Sequence, residues 1–377
     1  MKKRTIIIDG ARSPIGMKNG KMIGMRSDDL GAKTLKALLE RNMSIDINNI
    51  EDVVVGCAFP EGPQGMLLGR GISILAGVPK EAAGKVVNRF CGSSMDAVHQ
   101  VSQAIDCGDI DCGVAGGAED MFGVPMGGFN PDFNPDLYEK EYYMGMGETA
   151  ENLASELSIE REEQEDFAIN SHKKALSAIK DNLFKEEIIP IEFNGEVIEQ
   201  DEGPREPDIE KIKSLAPAFD ANGTITPATS SPISIGASMM LLASEELVLD
   251  LHIKPEFRIL SRAVTGVDWT LMGSGPLPAT SKALKKAGLS MDDIDVIELN
   301  EAFAAQSLYV IKKGGWDINK INLNGGAIAL GHPLGCSGSR IITTLMNTMR
   351  QKDAKYGLAT MCIGTGQGIA TIIERIK

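Results

Sequence analysis

Two distant stretches of this chain share one design, and that repetition limits the fold more than any other feature. "DLGAKTLKALLERNMSIDINNIEDVVVGCA" starts at Asp29, and "PLPATSKALKKAGLSMDDIDVIELNEAF" starts at Pro276. Each reads as a helix, a short polar link, an Ile/Asp-rich turn, a buried strand and a loop of small residues. Each is followed by a strand and a glycine-opened helix, "VVNRFCGSSMDAV" in the first half and "INLNGGAIALGHPLGCSGSRIITTLM" in the second. Each half then ends in a strand and a Gly-rich segment, "CGVAGGAEDM" and "GLATMCIGTGQG". Three matched elements in the same order predict two similarly folded α/β halves packed face to face. A chance match within generic α/β patterning is the alternative.

The apolar runs predict strands at 5–8, 52–55, 85–87, 112–115, 258–263, 296–299, 321–323, 357–361 and 368–373, with helices between them. Residues 118–233 break the pattern. This stretch holds a Gly-, Pro- and aromatic-rich segment, then an acidic helix with Ser158 as N-cap, then the polar, irregular "NGEVIEQDEGPREPDIEKI". It reads as an inserted lobe that covers a site or meets another subunit. The halves are then 1–117, completed by about 234–254, and 255–377.

The chain has 377 residues and a net charge of −14, which argues against nucleic acid or an anionic membrane surface as partner. Its N-terminal apolar run, 6–8, is too short for a signal peptide or a membrane span. The six cysteines show no CxxC spacing, so reduced thiols are expected rather than a disulfide framework or a metal site. Cys57, Cys107, Cys112 and Cys336 are read as core packing, and His99, His172 and His252 as structural or surface residues.

Cys91 is different, because it sits between a buried strand and the small-residue start of a helix. Amides and partial positive charge at a helix N-terminus lower a thiol pKa and can receive an oxyanion. His332 lies between Gly331 and Pro333 in a glycine-dense loop, where a general base can reach a thiol. The repeat places both at one cleft. Cys362 ends a strand and opens "GTGQG", whose amides can face negative charge. No helix follows that loop to hold a pyrophosphate, so it is not a dinucleotide site. Asn300 and Glu301 follow the strand at 296–299, and a buried Glu there needs partners. A packed cysteine, a satisfied core histidine and an exposed cap are the alternatives for Cys91, His332 and Asn300. A second thiol beside a nucleophilic one suits carbon–carbon cleavage of a β-keto thioester, where a carbanion must be protonated as another bond breaks.

In "NRFCGSSM", "GGAEDM", "MGETAENLA", "GPLPAT", "NEAFAAQ", "NGGAIALGHPLGCSGSR" and "CIGTGQG" the chain resembles the thiolase family, in order and over essentially its whole length. It looks most like the degradative 3-ketoacyl-CoA branch. The resemblance implies the thiolase fold, two similar βαβαβαββ halves in α-β-α-β-α layers with a loop lobe over the CoA site. It implies Cys91 as the acylated nucleophile, His332 as its base and Cys362 as the acid for the departing acetyl-CoA carbanion. Asn300 (through a water) and His332 would hold the thioester oxygen, and the amides of Cys91 and Gly364 the tetrahedral oxyanion. Ser231 resembles the family's pantetheine contact. Arg205 is the nearest match to an arginine at the nucleotide end, displaced by one position. CoA and acyl-CoA enter as substrates, with no tightly bound cofactor and no metal. A homodimer or larger homo-oligomer in the cytoplasm is implied, and a hydratase–dehydrogenase partner subunit is left open.

The chain departs from the family's pattern in "TPATSSPISIGA" from Thr226: Pro227 replaces a small residue, Ile235 an Asp, and Pro232 is unusual. Ala216 stands where an Arg is common. These changes bear on pocket shape and CoA affinity, while the four catalytic side chains are present. Acetoacetyl-CoA condensation and an inactive acyl-CoA-binding scaffold are the competing functions.

Overall fold

The computed structural model describes residues 4–376. The first half runs β1 (Thr5–Arg12), β2 (Gly16–Met17), α1 (Ser27–Glu40), β3 (Asp52–Gly56), α2 (Leu68–Leu75), β4 (Ala83–Val87), α3 (Ser93–Cys107) and β5 (Cys112–Asp120). The middle holds α4 (Pro135–Glu139), α5 (Met146–Glu156), α6 (Arg161–Lys180), the hairpin β6 (Ile191–Phe193) and β7 (Glu196–Ile198), and α7 (Ile209–Ser214). Next come β8 (Ser234–Ser244) and α8 (Glu245–Asp250). The second half runs β9 (Phe257–Gly266), α9 (Pro276–Ala287), β10 (Val296–Leu299), α10 (Ala304–Gly314), α11 (Ala327–Leu330), α12 (Leu334–Gln351), β11 (Tyr356–Ile363) and β12 (Gln367–Arg375).

The repeat seen in the sequence is a repeat of topology. β3 pairs parallel with β5, β5 antiparallel with β8, and β8 antiparallel with β1. The second half copies this, with β10 parallel to β11, β11 antiparallel to β12, and β12 antiparallel to β9. A short antiparallel contact, Ile6 with Arg258 and Ile7 with Phe257, joins the halves into one ten-stranded sheet.

Alternation along the strands sorts side chains into the expected layers. Val53, Val55, Met239 and Leu241 face α1 and α2 on one outside. Ile297, Leu299, Leu358 and Ile372 face α9 and α10 on the other. Val54, Met240, Ala359 and Met361 point inward, onto α3 and α12. The central α12 is therefore buried from Leu334 to Met349, where an outer helix would show one polar face. It crosses α3 so closely that a Cβ on Gly338 would meet the Met95 backbone, and the Ser339 amide donates to Ser94 Oγ at 2.9 Å. Residues from the middle segment are tied to β1 by the buried Arg12, which meets Glu187 at 2.6 Å and Asp201 at 2.7 Å.

Four expectations change. The strand expected at 321–323 is a single bridge, Ile321 to Ile297. Asn322 turns left-handed, with φ at 46°. Its side chain accepts from the Leu299 amide and donates to the Leu299 carbonyl, taking the place of a strand neighbour. Ser158 ends α5 instead of capping α6, because its φ of 48° turns the chain and the Ile159 amide closes on the Ala154 carbonyl. Glu160 is the N-cap of α6. The irregular polar stretch contains β7 and α7. Cys107 is exposed at the end of α3, whereas Cys57, Cys112 and Cys336 are buried as expected. His99 and His172 are buried and His252 is exposed. Residues 1–3, with the basic start of the chain, lie outside the described residues.

Candidate active site

Cys91 stands in a single 3-10 turn, Phe90–Gly92, between β4 and α3. The turn is strained and braced. Phe90 has φ at 43°, a left-handed backbone that costs energy in any residue with a Cβ. Asn88 offsets this by accepting from the Phe90 amide at 3.0 Å while donating to the Ala58 carbonyl at 2.8 Å. Ser93 Oγ accepts from the Arg89 amide and donates to the Phe90 carbonyl. Gly92 packs on the second half, and a Cβ there would lie 2.6 Å from Ile363 Cδ1. The motif "NRFCGSS" therefore presents a half-buried thiol at the seam between the halves.

His332 follows α11 in a loop between the halves. Its amide donates to Ser234 Oγ at 2.9 Å. Its Nδ1 lies 2.6 Å from Ser337 Oγ, and that hydroxyl donates to the Pro333 carbonyl at 2.8 Å. With its proton committed there, the hydroxyl accepts, so Nδ1 carries the ring hydrogen and Nε2 keeps its lone pair. Asn300 Nδ2 approaches Nε2 at 3.4 Å, and Asn300 Oδ1 is buried with no hydrogen-bond partner among the described residues. Burial, and then the charge of Arg340, hold this imidazole neutral, its pKa lowered to about 3.

One cavity of about 540 Å³ is lined by Cys91, His332, Cys362 and Ser231 together. Cys362 is buried near the end of β11. Burial raises its thiol pKa first, and the adjacent Cys91 raises it further. Cys91 itself is pushed up to about 11 by burial, although the Gly364 and Cys91 amides donate to it and favour the thiolate. The lowered thiol expected from the helix N-terminus is thus overruled by desolvation. Both thiols and the imidazole rest uncharged near pH 7. Such a set needs a base adjacent to the nucleophile, and the neutral Nε2 is in the protonation state to be one.

Asn300 reaches the cavity through His332 and does not line it. Arg205 is exposed, bonded to the Gly203 carbonyl, and absent from the lining. Pro232 lines the cavity, whereas Ile235 packs in the outer core of the first half. Sequence reasoning missed the wall. Met121, Met126, Met146, Met272, Phe219 and Phe303 make the cavity chiefly apolar, with residues 121–148 and 218–233 supplying most of its lining. A cluster of methionines in the glycine-rich stretch was the available signal.

The chain matches the family model for the thiolase N-terminal domain over residues 5–246 and that for the thiolase C-terminal domain over residues 253–375. It is 51% identical to a 3-ketoacyl-CoA thiolase of Aliivibrio salmonicida, and 48% identical to one of Idiomarina loihiensis, covering 99% of this chain and 100% of each relative. The crystal structure of the Bacillus anthracis acetyl-CoA acetyltransferase superposes with a TM-score of 0.92 at 34% identity, covering 100% of this chain and 99% of that one.

Proposed function

The chain belongs to the thiolase family, and from that premise we infer that it cleaves 3-ketoacyl-CoA with CoA, giving acetyl-CoA and a shortened acyl-CoA in fatty-acid degradation. The observation that carries the reading is the one cavity walled by two thiols and a neutral imidazole, with a backbone amide aimed at the first thiol.

The proposed cycle follows from these groups. His332 Nε2 takes the Cys91 proton as sulfur attacks the 3-keto carbon. The amides of Cys91 and Gly364 receive the tetrahedral oxyanion. The bond between C2 and C3 then breaks, its electron pair going to C2, and Cys362 gives C2 a proton. His332 and Asn300 (through a water) hold the thioester oxygen of the departing enolate. Acetyl-CoA leaves and the shortened acyl group stays on Cys91. CoA gives its thiol proton to the Cys362 thiolate and attacks the acyl group. Cys91 leaves as thiolate and recovers its proton from His332, so protons and electrons balance over the cycle.

Ser231 is proposed to meet the pantetheine arm, and the exposed Arg205 the nucleotide end beyond the cavity. The segment 118–233 would form the cover over CoA. A homodimer is supported by the edge strand β4 and by exposed Met66, Leu67, Ile74 and Leu75 beside it. Six free cysteines suit a reducing compartment such as the cytoplasm.

Mass spectrometry after mixing with a 3-ketoacyl-CoA should find the acyl group on Cys91 and acetyl-CoA in solution. An unmodified Cys91 with no acetyl-CoA would leave only the scaffold reading. Initial rates with substrates of increasing chain length then separate the degradative role from condensation.

A further inference from the structure

Two buried carboxylates flank the loop that carries His332, and neither makes an ion pair among the described residues. Glu301 is 2% exposed and Glu119 is 1% exposed. A buried carboxylate is costly unless donors surround it. Glu301 Oε2 accepts from Ser171 Oγ at 2.7 Å and from the Ile328 amide at 3.2 Å, and its Oε1 accepts from Asn322 Nδ2 at 2.8 Å. Ser171 Oγ in turn accepts from the Gly326 amide at 3.1 Å. Glu119 Oε2 accepts from the amides of Gly335 at 2.8 Å and Ala58 at 2.6 Å. Its Oε1 accepts from Gln64 Nε2 at 2.6 Å and from the Phe59 amide at 3.3 Å.

Besides Ala58 and Phe59 on the loop after β3, the bonded amides bracket one segment. Gly326 and Ile328 open the segment 326–335, and Gly335 closes it. His332 lies inside, with one further anchor from its own amide to Ser234. Glu301 also directly follows Asn300, the other group on the ring. Through Asn322 it shares a clamp with the Leu299 backbone, so it couples the end of β10 to the start of the loop.

We propose that Glu119 and Glu301 are positioning residues for the base, pinning the two ends of the segment 326–335, which runs from α11 into the start of α12, and so fixing where the His332 ring meets Cys91. Neither carboxylate reaches the cavity lining, so neither touches substrate. The inference rests on the reading of His332 as the base.

The test is a pair of mutant cycles, Glu301→Gln and Glu119→Gln, each made with and without His332→Ala. Glutamine keeps the volume but sets an amide N–H₂ against a donor, because both oxygens of each carboxylate accept. The readout is the rate of Cys91 alkylation by iodoacetamide near neutral pH, followed by mass spectrometry. It stays measurable without turnover. Each Gln variant should slow alkylation about tenfold when His332 is present and change it less than about twofold when it is absent. Glu119 gives a further sign, because its charge disfavours a Cys91 thiolate. Without the imidazole, Glu119→Gln should leave the rate unchanged or raise it.

Equal slowing in both backgrounds would mean general damage and would overturn the proposal, as would an unchanged rate with His332 present. If a Gln variant does not fold, Ser171→Ala, which removes one donor to Glu301 and the acceptor for Gly326, must show the same dependence on His332. If His332→Ala alone leaves alkylation and thiolysis near wild type, the reading of the base fails, and this inference with it.

Discussion

Replacing Ser337 by alanine tests the proton placement on His332. The hydroxyl lies 2.6 Å from Nδ1 and donates to the Pro333 carbonyl at 2.8 Å. Alanine removes the acceptor for the Nδ1 hydrogen and leaves that group buried. The loss is largest when the ring becomes an imidazolium, since hydrogen bonds to charged groups are worth about 1.5–3 kcal/mol. At about 1.4 kcal/mol per tenfold, kcat should fall roughly 10- to 100-fold. KM for the 3-ketoacyl-CoA should hold within about threefold, because the bond strengthens only as charge forms. Single-turnover acylation of Cys91, read by mass spectrometry, should slow by the same factor as kcat. A fall in kcat of less than about threefold would show that Ser337 does not set the tautomer, and the assignment of Nε2 as the free base would be wrong.

Three further outcomes follow from the site. Cys362→Ala should lower thiolysis by about 10³-fold or more while leaving a slowed acetyl transfer from acetyl-CoA to Cys91 detectable, since a CoA thiolate leaves without an acid far more easily than a C2 carbanion does; loss of both would deny that difference. In a His332→Ala variant, with the Cys91 thiol raised to about 11, the thiolate fraction grows about tenfold per pH unit below that value, so alkylation should climb from pH 6 to 10 without a plateau. With His332 present the neutral imidazole adds a route that does not vary with pH, so the profile should flatten near pH 7, and identical profiles for the two proteins would deny the base. Residues 118–233 carry 26 acidic and nine basic side chains, a net −17 against −14 for the whole chain. Raising ionic strength from about 20 to 300 mM should therefore raise kcat/KM for the polyanionic CoA, and a steady fall with salt would point to a cationic entry instead.

The fold was legible where periodicity decides it. Val53 to Val55 and Val296 to Leu299 follow matched helices, and both became strands in matched positions. It was less legible where one side chain competes with the backbone. The apolar Ile321 and Leu323 suggest a strand, but the Asn322 amide takes both polar groups of Leu299 and the strand stops. Ser158 has the chemistry of an N-cap, yet the preceding helix ends on it first. At the site, residue types and order brought Cys91, His332 and Cys362 to one cavity. Their charge states were hidden, because a helix N-terminus is visible in sequence and the dryness of its surroundings is not. The roles of Ser337, Ser234 and Glu119 were hidden for the same reason, since each depends on a bond between distant parts of the chain.

The repeat raises the question of why the proposed nucleophile stands at only one of two similar places. Cys91 stands just before α3 and Cys336 in the first turn of α12, so each half contributes a thiol at the start of a central helix. Local helix geometry favours both alike. Their surroundings differ. Cys91 opens onto the cavity, with the Gly364 amide donating to it and Cys362 beside it. Cys336 is 1% exposed and raised to about 12 by burial. At its helix start the Gly335 amide is already taken by Glu119, whose carboxylate also occupies the amides of the loop after β3. The Glu119 carboxyl group thus takes the amide at one helix start, while at the other the Cys91 amide is directed at the Cys91 sulfur. The proposed nucleophile is singled out by its opening onto the cavity and by the neutral imidazole that shares the lining, more than by its place in the fold.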